Sequence, residues 1–167
     1  MKSQDDPKKC SALRLIKFHL AYPIYRRKQI PRGTIILDPS AMELLTPSDK
    51  NDVLRRGIMV IDCSWKNAES VFSKPNKYGR SLPVLLAANP INYARAGILS
   101  SLEAFSGALY ILGFKEKAHE LLKIFKWGPH FLELNSEPLE AYSEAKDAED
   151  LFKIMGEFFP NIQTTCI

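Results

Sequence analysis

At 167 residues, with 46% hydrophobic residues, 25% charged residues and a net charge of +4, the chain has the make-up of an ordinary folded protein of one or two small domains. It holds no apolar run as long as a membrane span, and Met1-Lys2-Ser3-Gln4-Asp5-Asp6 lacks the apolar core of a signal peptide, so a cytoplasmic protein is expected. Cys10, Cys63 and Cys166 form no close pair, the three histidines are scattered, and neither a Walker A nor a G-x-G-x-x-G run occurs, which argues against a disulfide framework, a bound metal and a nucleoside triphosphate.

In chain order, Leu13–Leu20 is partly alternating and reads as a strand. Tyr22–Pro31, bracketed by prolines and carrying Arg26, Arg27 and Lys28, reads as an exposed loop. Thr34–Leu37 is a short buried strand stopped by Asp38-Pro39. Thr46-Pro47-Ser48-Asp49 starts a helix that Gly57 ends, and Ile58–Ile61 is the next strand. Ser64 is placed to cap a helix over 65–72, and Val84–Ala88 is a fourth apolar run.

Beyond residue 90 the texture changes. Ser100-x-x-Glu103 is a capping box opening a helix that runs to Gly113. Ala118, Leu121, Leu122 and Phe125 recur at helical spacing, giving a second helix ended by Gly128. Ser136 starts a third, with Pro138 in its first turn, and Leu151, Phe152, Met155, Phe158 and Phe159 form the stripe of a fourth. The expected architecture is therefore α/β: a largely parallel sheet within 1–90 that carries a ligand site, and an all-helical part over 91–167.

Ligands of parallel sheets bind beyond the carboxyl ends of the strands. Here those ends are Asp38-Pro39, Asp62-Cys63-Ser64-Trp65 and Ala88-Asn89-Pro90. Trp65 offers a flat wall for a purine, or else a packing residue; Asp62 suits a base, a ligand anchor or a helix cap. Charge is uneven: residues 1–35 carry a balance of +7 and residues 129–167 one of −6. A basic front end fits either a nucleic-acid partner or a solvated face.

Taken together, Asp5-x-Pro7-Lys8-Lys9-Cys10-Ser11, Leu37-x-Pro39, Asp62-Cys63-Ser64-Trp65, Leu82-Pro83…Ala87-Ala88-Asn89-Pro90-x-Asn92-Tyr93, Leu99-Ser100…Glu103-Ala104 and Phe125-x-Trp127-Gly128…Phe131…Asn135 resemble the aminocarboxypropyltransferases that modify small-subunit ribosomal RNA during ribosome maturation. The resemblance covers nearly the whole chain. It points to a compact archaeal-type member, because the long acidic tail of eukaryotic relatives is absent from this sequence.

The resemblance implies an enzyme that moves the 3-amino-3-carboxypropyl group of S-adenosylmethionine onto a pseudouridine, usually 1-methylpseudouridine, of small-subunit RNA; a monomer is expected, and the absence of a ligand cluster predicts that it needs no metal. The resemblance also implies a SPOUT-like fold with a deep trefoil knot. By position, Leu37, Pro39, Trp65 and Ala68 would enclose the adenine, and the Leu85 and Ser100 backbones would bond its edge. The Ile61 carbonyl would hold the ribose, and Ser11 and Ala104 would lie near the methionine moiety. Asp62 is the candidate base. Lys8, Lys9, Arg26, Arg27 and Lys28 are the candidate RNA contacts. The competing readings are an S-adenosylmethionine-dependent RNA methyltransferase and a non-catalytic RNA-binding assembly factor.

Overall fold

The computed structural model describes residues 10–63, 65, 71–72 and 76–162. Its sheet has three short parallel strands in the order β2-β1-β3: β1 is Ile35–Leu37, β2 is Ile58–Val60 and β3 is Gly79–Arg80. The register pairs Ile36 of β1 with Met59 on one side and Gly79 on the other. Being central, β1 is buried at every position, as an unbroken Ile-Ile-Leu run requires. The helix predicted between β1 and β2 is present as α2, Lys50–Arg56, entered through a 3₁₀ turn at Pro47–Asp49. Gly57 ends it at φ +82°, a conformation that only glycine adopts cheaply, and so turns the chain into β2.

Two strand expectations fail, for different reasons. Leu13–Leu20 is not a strand: Ser11–Lys17 forms a helix, α1, with Ser11 and Leu15 buried and Leu13 exposed. That i, i+4 pairing is a helical period, and it competed with an apparent alternation over Leu13 and Leu15 in a segment too short to separate the two. Nor is Val84–Ala88 a sheet strand. The third strand is Gly79–Arg80, two residues with no apolar signal of their own, held by Ile36 N–H to Tyr78 C=O and Asp38 N–H to Arg80 C=O bonds of 2.9 Å each. Arg80 is anchored in turn by Glu43 at 2.8 Å and Asp49 at 3.1 Å, which ties β3 to the start of α2.

The remaining elements are helices: α3 Ser101–Ile111, α4 Lys115–Leu122, α5 Gly128–Leu134, α6 Ser136–Ser143 and α7 Ala148–Phe158. The predicted capping box is formed, with the Ser100 Oγ accepting from Glu103 N–H and Glu103 accepting from Ser100 N–H. Gly128 does not close a long second helix. The chain ends α4 at Leu122, turns tightly through Phe125, and Gly128 opens a separate short helix that periodicity missed. The helix expected over 65–72 lies largely outside the described residues.

The apolar run Val84–Ala88 is buried, yet its backbone is satisfied largely by side chains. Val84 C=O accepts from the Tyr142 hydroxyl at 3.1 Å. Asn135, fully buried, accepts from Leu86 N–H at 2.7 Å and donates to Leu86 C=O at 2.9 Å, taking the place of a neighbouring strand. Ala88 and Asn89 N–H both donate to one Glu103 oxygen, at 2.7 and 2.8 Å. On the other edge Ala87 and Leu85 pair with Ala94, Arg95 and Gly97. Leu85 itself packs against Gly107, where a Cβ would come within 2.9 Å of its methyl.

Helix α3 joins the two halves of the core. Ala108 and the adjoining Leu112 pack with Ile35, Leu37, Leu45 and Val53, whereas Leu102 and Ile111 pack with Leu15, Leu85, Phe131, Leu139 and Tyr142. Among the described residues, no helix is long and apolar enough to cross a membrane.

Glu103 is costly to remove, since it is wholly buried and accepts from four donors. Glu103→Ala would leave those donors stranded, at about 1–3 kcal/mol each where no water reaches them. Its denaturant midpoint should fall by the equivalent of about 3 kcal/mol or more, while exposed Glu137→Ala should change it by less than about 0.5 kcal/mol.

Candidate active site

Three chain segments meet at the amino terminus of α3. The first is the start of α1: Ser11 Oγ accepts from Leu102 N–H at 3.3 Å. The second is the exit from β2, where Asp62 accepts from the Ser101 hydroxyl at 3.0 Å and from the Cys10 thiol at 3.5 Å. The third is Trp65, whose indole N–H donates to Leu99 C=O at 2.9 Å while the side chain stays 40% exposed. Its polar edge is thus fixed while part of the residue faces solvent. The first turn of α3 places the positive end of the helix dipole beside Asp62.

Sequence reasoning named Ser11, Asp62, Trp65 and Ser100 for this region, and hydrogen bonds tie each of them to the segment Leu99–Glu103. Ile61, half-buried, adjoins Asp62 in the chain. Ala104 is half-buried one turn into α3 and touches both core clusters. Leu37 is buried at the carboxyl end of β1, followed by exposed Pro39. Leu85 is fully buried, and among the described residues its N–H has no hydrogen-bond partner. Ser100 is different: its N–H is taken by Glu103 and its carbonyl already accepts from Ala104 N–H. Any bond to a ligand must use that carbonyl's second lone pair. Ala68, Lys8 and Lys9 lie outside the described residues.

The strand-end argument needs one correction. Asp38 and Asp62 do follow sheet strands, but Ala88-Asn89-Pro90 does not. It is bonded through Glu103 to the α3 cap. The equally important Ser101, Leu99 and Cys10 were not selected, and no spacing rule would have found them, because their partners lie 34–52 residues away.

Burial pushes the Cys10 and Cys63 thiols above the usual range, and the Asp62 charge raises both further. Among the described residues no three His, Cys, Asp or Glu side chains are grouped to hold a metal ion. Arg26, Arg27 and Lys28 are exposed, on the loop that follows α1, with Gln29 Oε1 accepting from Arg26 N–H at 3.0 Å. Tyr22 and Tyr25 stand on the same loop at 91% and 84% exposure, an aromatic–cationic mixture that sequence reasoning counted only for its charge.

Residues 35–159 match the protein family described as “Ribosome biogenesis protein, C-terminal”. The chain is 46% identical to a 16S rRNA aminocarboxypropyltransferase of Methanococcoides burtonii, over 93% of this chain and 90% of the relative. It is 44% identical to the protein of that name from Methanocaldococcus jannaschii, over 93% and 91%. The solved structure of the SAM-dependent rRNA:acp-transferase Tsr3 from Vulcanisaeta distributa matches with a TM-score of 0.85 and 44% identity, covering 94% of this chain and 84% of that one. A parallel sheet with a helical carboxyl-terminal part and a strand-end site thus belongs to a class of RNA-modifying transferases. The chain is a member of the 16S rRNA aminocarboxypropyltransferase family.

Because Asp62 raises both thiols, replacing it should lower them. In a Cys166→Ser background, Asp62→Asn should speed alkylation of Cys10 and Cys63 by iodoacetamide at pH 8, where the thiolate fraction limits the rate. Burial, the leading cause, remains, so the gain is partial. Peptide-resolved mass spectrometry over time checks it.

Proposed function

We infer that this protein transfers the 3-amino-3-carboxypropyl group of S-adenosylmethionine to 16S rRNA during ribosome biogenesis. The observation that carries the reading is the match to 16S rRNA aminocarboxypropyltransferases over nine-tenths of the chain, together with the cluster of Ser11, Asp62 and Trp65 at the amino terminus of α3. When bound, the sulfonium of S-adenosylmethionine activates the carbons attached to it, and the side-chain carbon is the one this reaction uses.

The finer reading is ours as well. Trp65, Leu37, Pro39 and Ala68 enclose the adenine, with Leu85 N–H and the Ser100 carbonyl at its edge. The Ile61 carbonyl meets the ribose, and Ser11 and Ala104 flank the amino-acid end. Supporting this, Trp65 is fixed at its N–H yet exposed, and Leu85 N–H has no partner among the described residues. The chain's contribution is positioning: a rigid cage that decides which carbon faces the RNA.

The acceptor is a pseudouridine ring nitrogen, 1-methylated in the usual substrate, and Asp62 takes its proton. Among the described residues Asp62 accepts from two donors, the Ser101 hydroxyl and the Cys10 thiol, and a carboxylate has lone pairs for more. Lys8, Lys9, Arg26, Arg27 and Lys28 hold RNA phosphates. The protein acts in the cytoplasm as a monomer. The sheet half, within 1–90, carries the cofactor and is knotted as in SPOUT enzymes; the half over 91–167 is helical.

Cofactor labelled in its carboxyl carbon should mark 16S rRNA, and cofactor labelled in its methyl should not. Methyl labelling would make the protein an RNA methyltransferase, and no labelling with RNA still bound would make it an assembly factor. Trp65→Ala should weaken cofactor binding by about 2 kcal/mol or more, roughly 30-fold, in titration calorimetry. Trp65→Phe, which keeps an aromatic wall but loses the bond to Leu99, should lose much less.

A further inference from the structure

A second built feature stands outside the cofactor cluster. The turn Asn89–Ala96 is held from within and from below. Asn89 Oδ1 accepts from Ile91 and Asn92 N–H at 3.2 and 3.1 Å, and its amide donates to Glu103 at 2.7 Å. Ala87 and Ala94 close the turn through a 2.7 Å backbone bond, and Ala94 is held at φ +59°, a strained choice for a residue with a Cβ. What this turn offers solvent is Ile91 at 80% exposure, Tyr93 at 56% and the exposed Arg95.

Tyr93 is not a loose surface tyrosine. Its hydroxyl meets His130 Nε2 at 3.2 Å, and His130 Nδ1 meets Glu133 Oε2 at 2.9 Å. With the carboxylate accepting, Nδ1 carries the proton and Nε2 accepts from the phenol, so both rings are fixed by a three-group chain linking the turn to α5. The ring planes are parallel to 1°, with centroids 6.0 Å apart. The ordering entropy of an exposed aromatic is thereby spent in advance, which is useful when something must land on it.

We propose that Tyr93, backed by His130 and Glu133, is a stacking platform for an unpaired base of the RNA, next to the nucleotide that is modified. Flat rings take any base by its face, and Arg95 beside them suits the adjoining phosphate. The turn hangs from Glu103, the same carboxylate that caps α3 at the candidate cofactor site. A base held there is in fixed register with the cofactor. This inference rests on the rRNA-modifying reading above, and deepens it by naming a residue that positions the substrate.

The test uses a 16S rRNA hairpin in which 2-aminopurine replaces each unpaired loop base in turn. Wild-type protein with S-adenosylmethionine should quench one position strongly. Tyr93→Ala should abolish that quench and weaken RNA binding by roughly 5- to 150-fold, the range for losing one base–aromatic stack. Tyr93→Leu, which keeps apolar bulk without a π-face, should lose the quench as well, whereas Tyr93→Phe should retain it. Cofactor affinity should be the same in all three. Unchanged RNA affinity and quenching in Tyr93→Ala would overturn the proposal. Loss of transfer in Tyr93→Phe with RNA affinity intact would also overturn it, by giving the phenol a chemical role. The labelled-cofactor result for wild type tests the function separately, so a wild type without transfer points to the broader reading rather than to Tyr93.

Discussion

The buried carboxylate of Glu103 is the constraint on which the rest of this structure depends. Its two oxygens accept from Ser100 N–H, Ala88 N–H, Asn89 N–H and the Asn89 amide. A charge taken fully out of water is costly unless its lone pairs are met, and here four donors meet them at the positive end of a helix. One side chain thereby caps α3, closes the apolar segment 84–89 and fixes the root of the exposed turn that follows. Those are the pieces that frame the candidate site.

Around that anchor the protein solves a backbone problem with side chains. Three parallel strands of two or three residues make a small sheet, and the fourth apolar run has no strand on one edge. Tyr142 on α6, Asn135 at the junction of α5 and α6, and Glu103 on α3 supply the missing partners. A buried peptide group must be paired, and it does not matter energetically whether strand or side chain does it. The consequence is positional: helices α3, α5 and α6 are locked to the 84–89 segment by directional bonds as well as by packing. Leu85, whose N–H has no partner among the described residues, sits within this braced segment.

The same logic explains why the candidate site is preorganised. Ser11, Asp62 and Trp65 reach the segment Leu99–Leu102 through one bond each, from three parts of the chain. None of these bonds is strong in isolation. Jointly they hold a hydroxyl, a carboxylate and an indole against one helix terminus.

Local patterns in the sequence determined a good part of this. The Ile-Ile-Leu and Ile-Met-Val strands, the α2 boundaries set by Thr46-Pro47 and Gly57, the Ser100–Glu103 box and the family motifs were all legible, because each is a short-range signal read within one or two turns of chain. The α1 helix was misread because seven residues hold too few periods to tell alternation from helical spacing. Strand β3 was invisible because Gly79-Arg80 has no pattern, and exists through β1 and the carboxylates of Glu43 and Asp49. The fate of Val84–Ala88 was undecidable locally, since buried strand and side-chain-paired extended segment have the same apolar composition. Only the tertiary structure decided that Asn135, Tyr142 and Glu103 would take the strand's place, and that Asp62 would meet Ser101 and Cys10. Those bonds join residues up to 58 positions apart, a separation over which no periodicity carries information and three-dimensional packing alone chooses the partner.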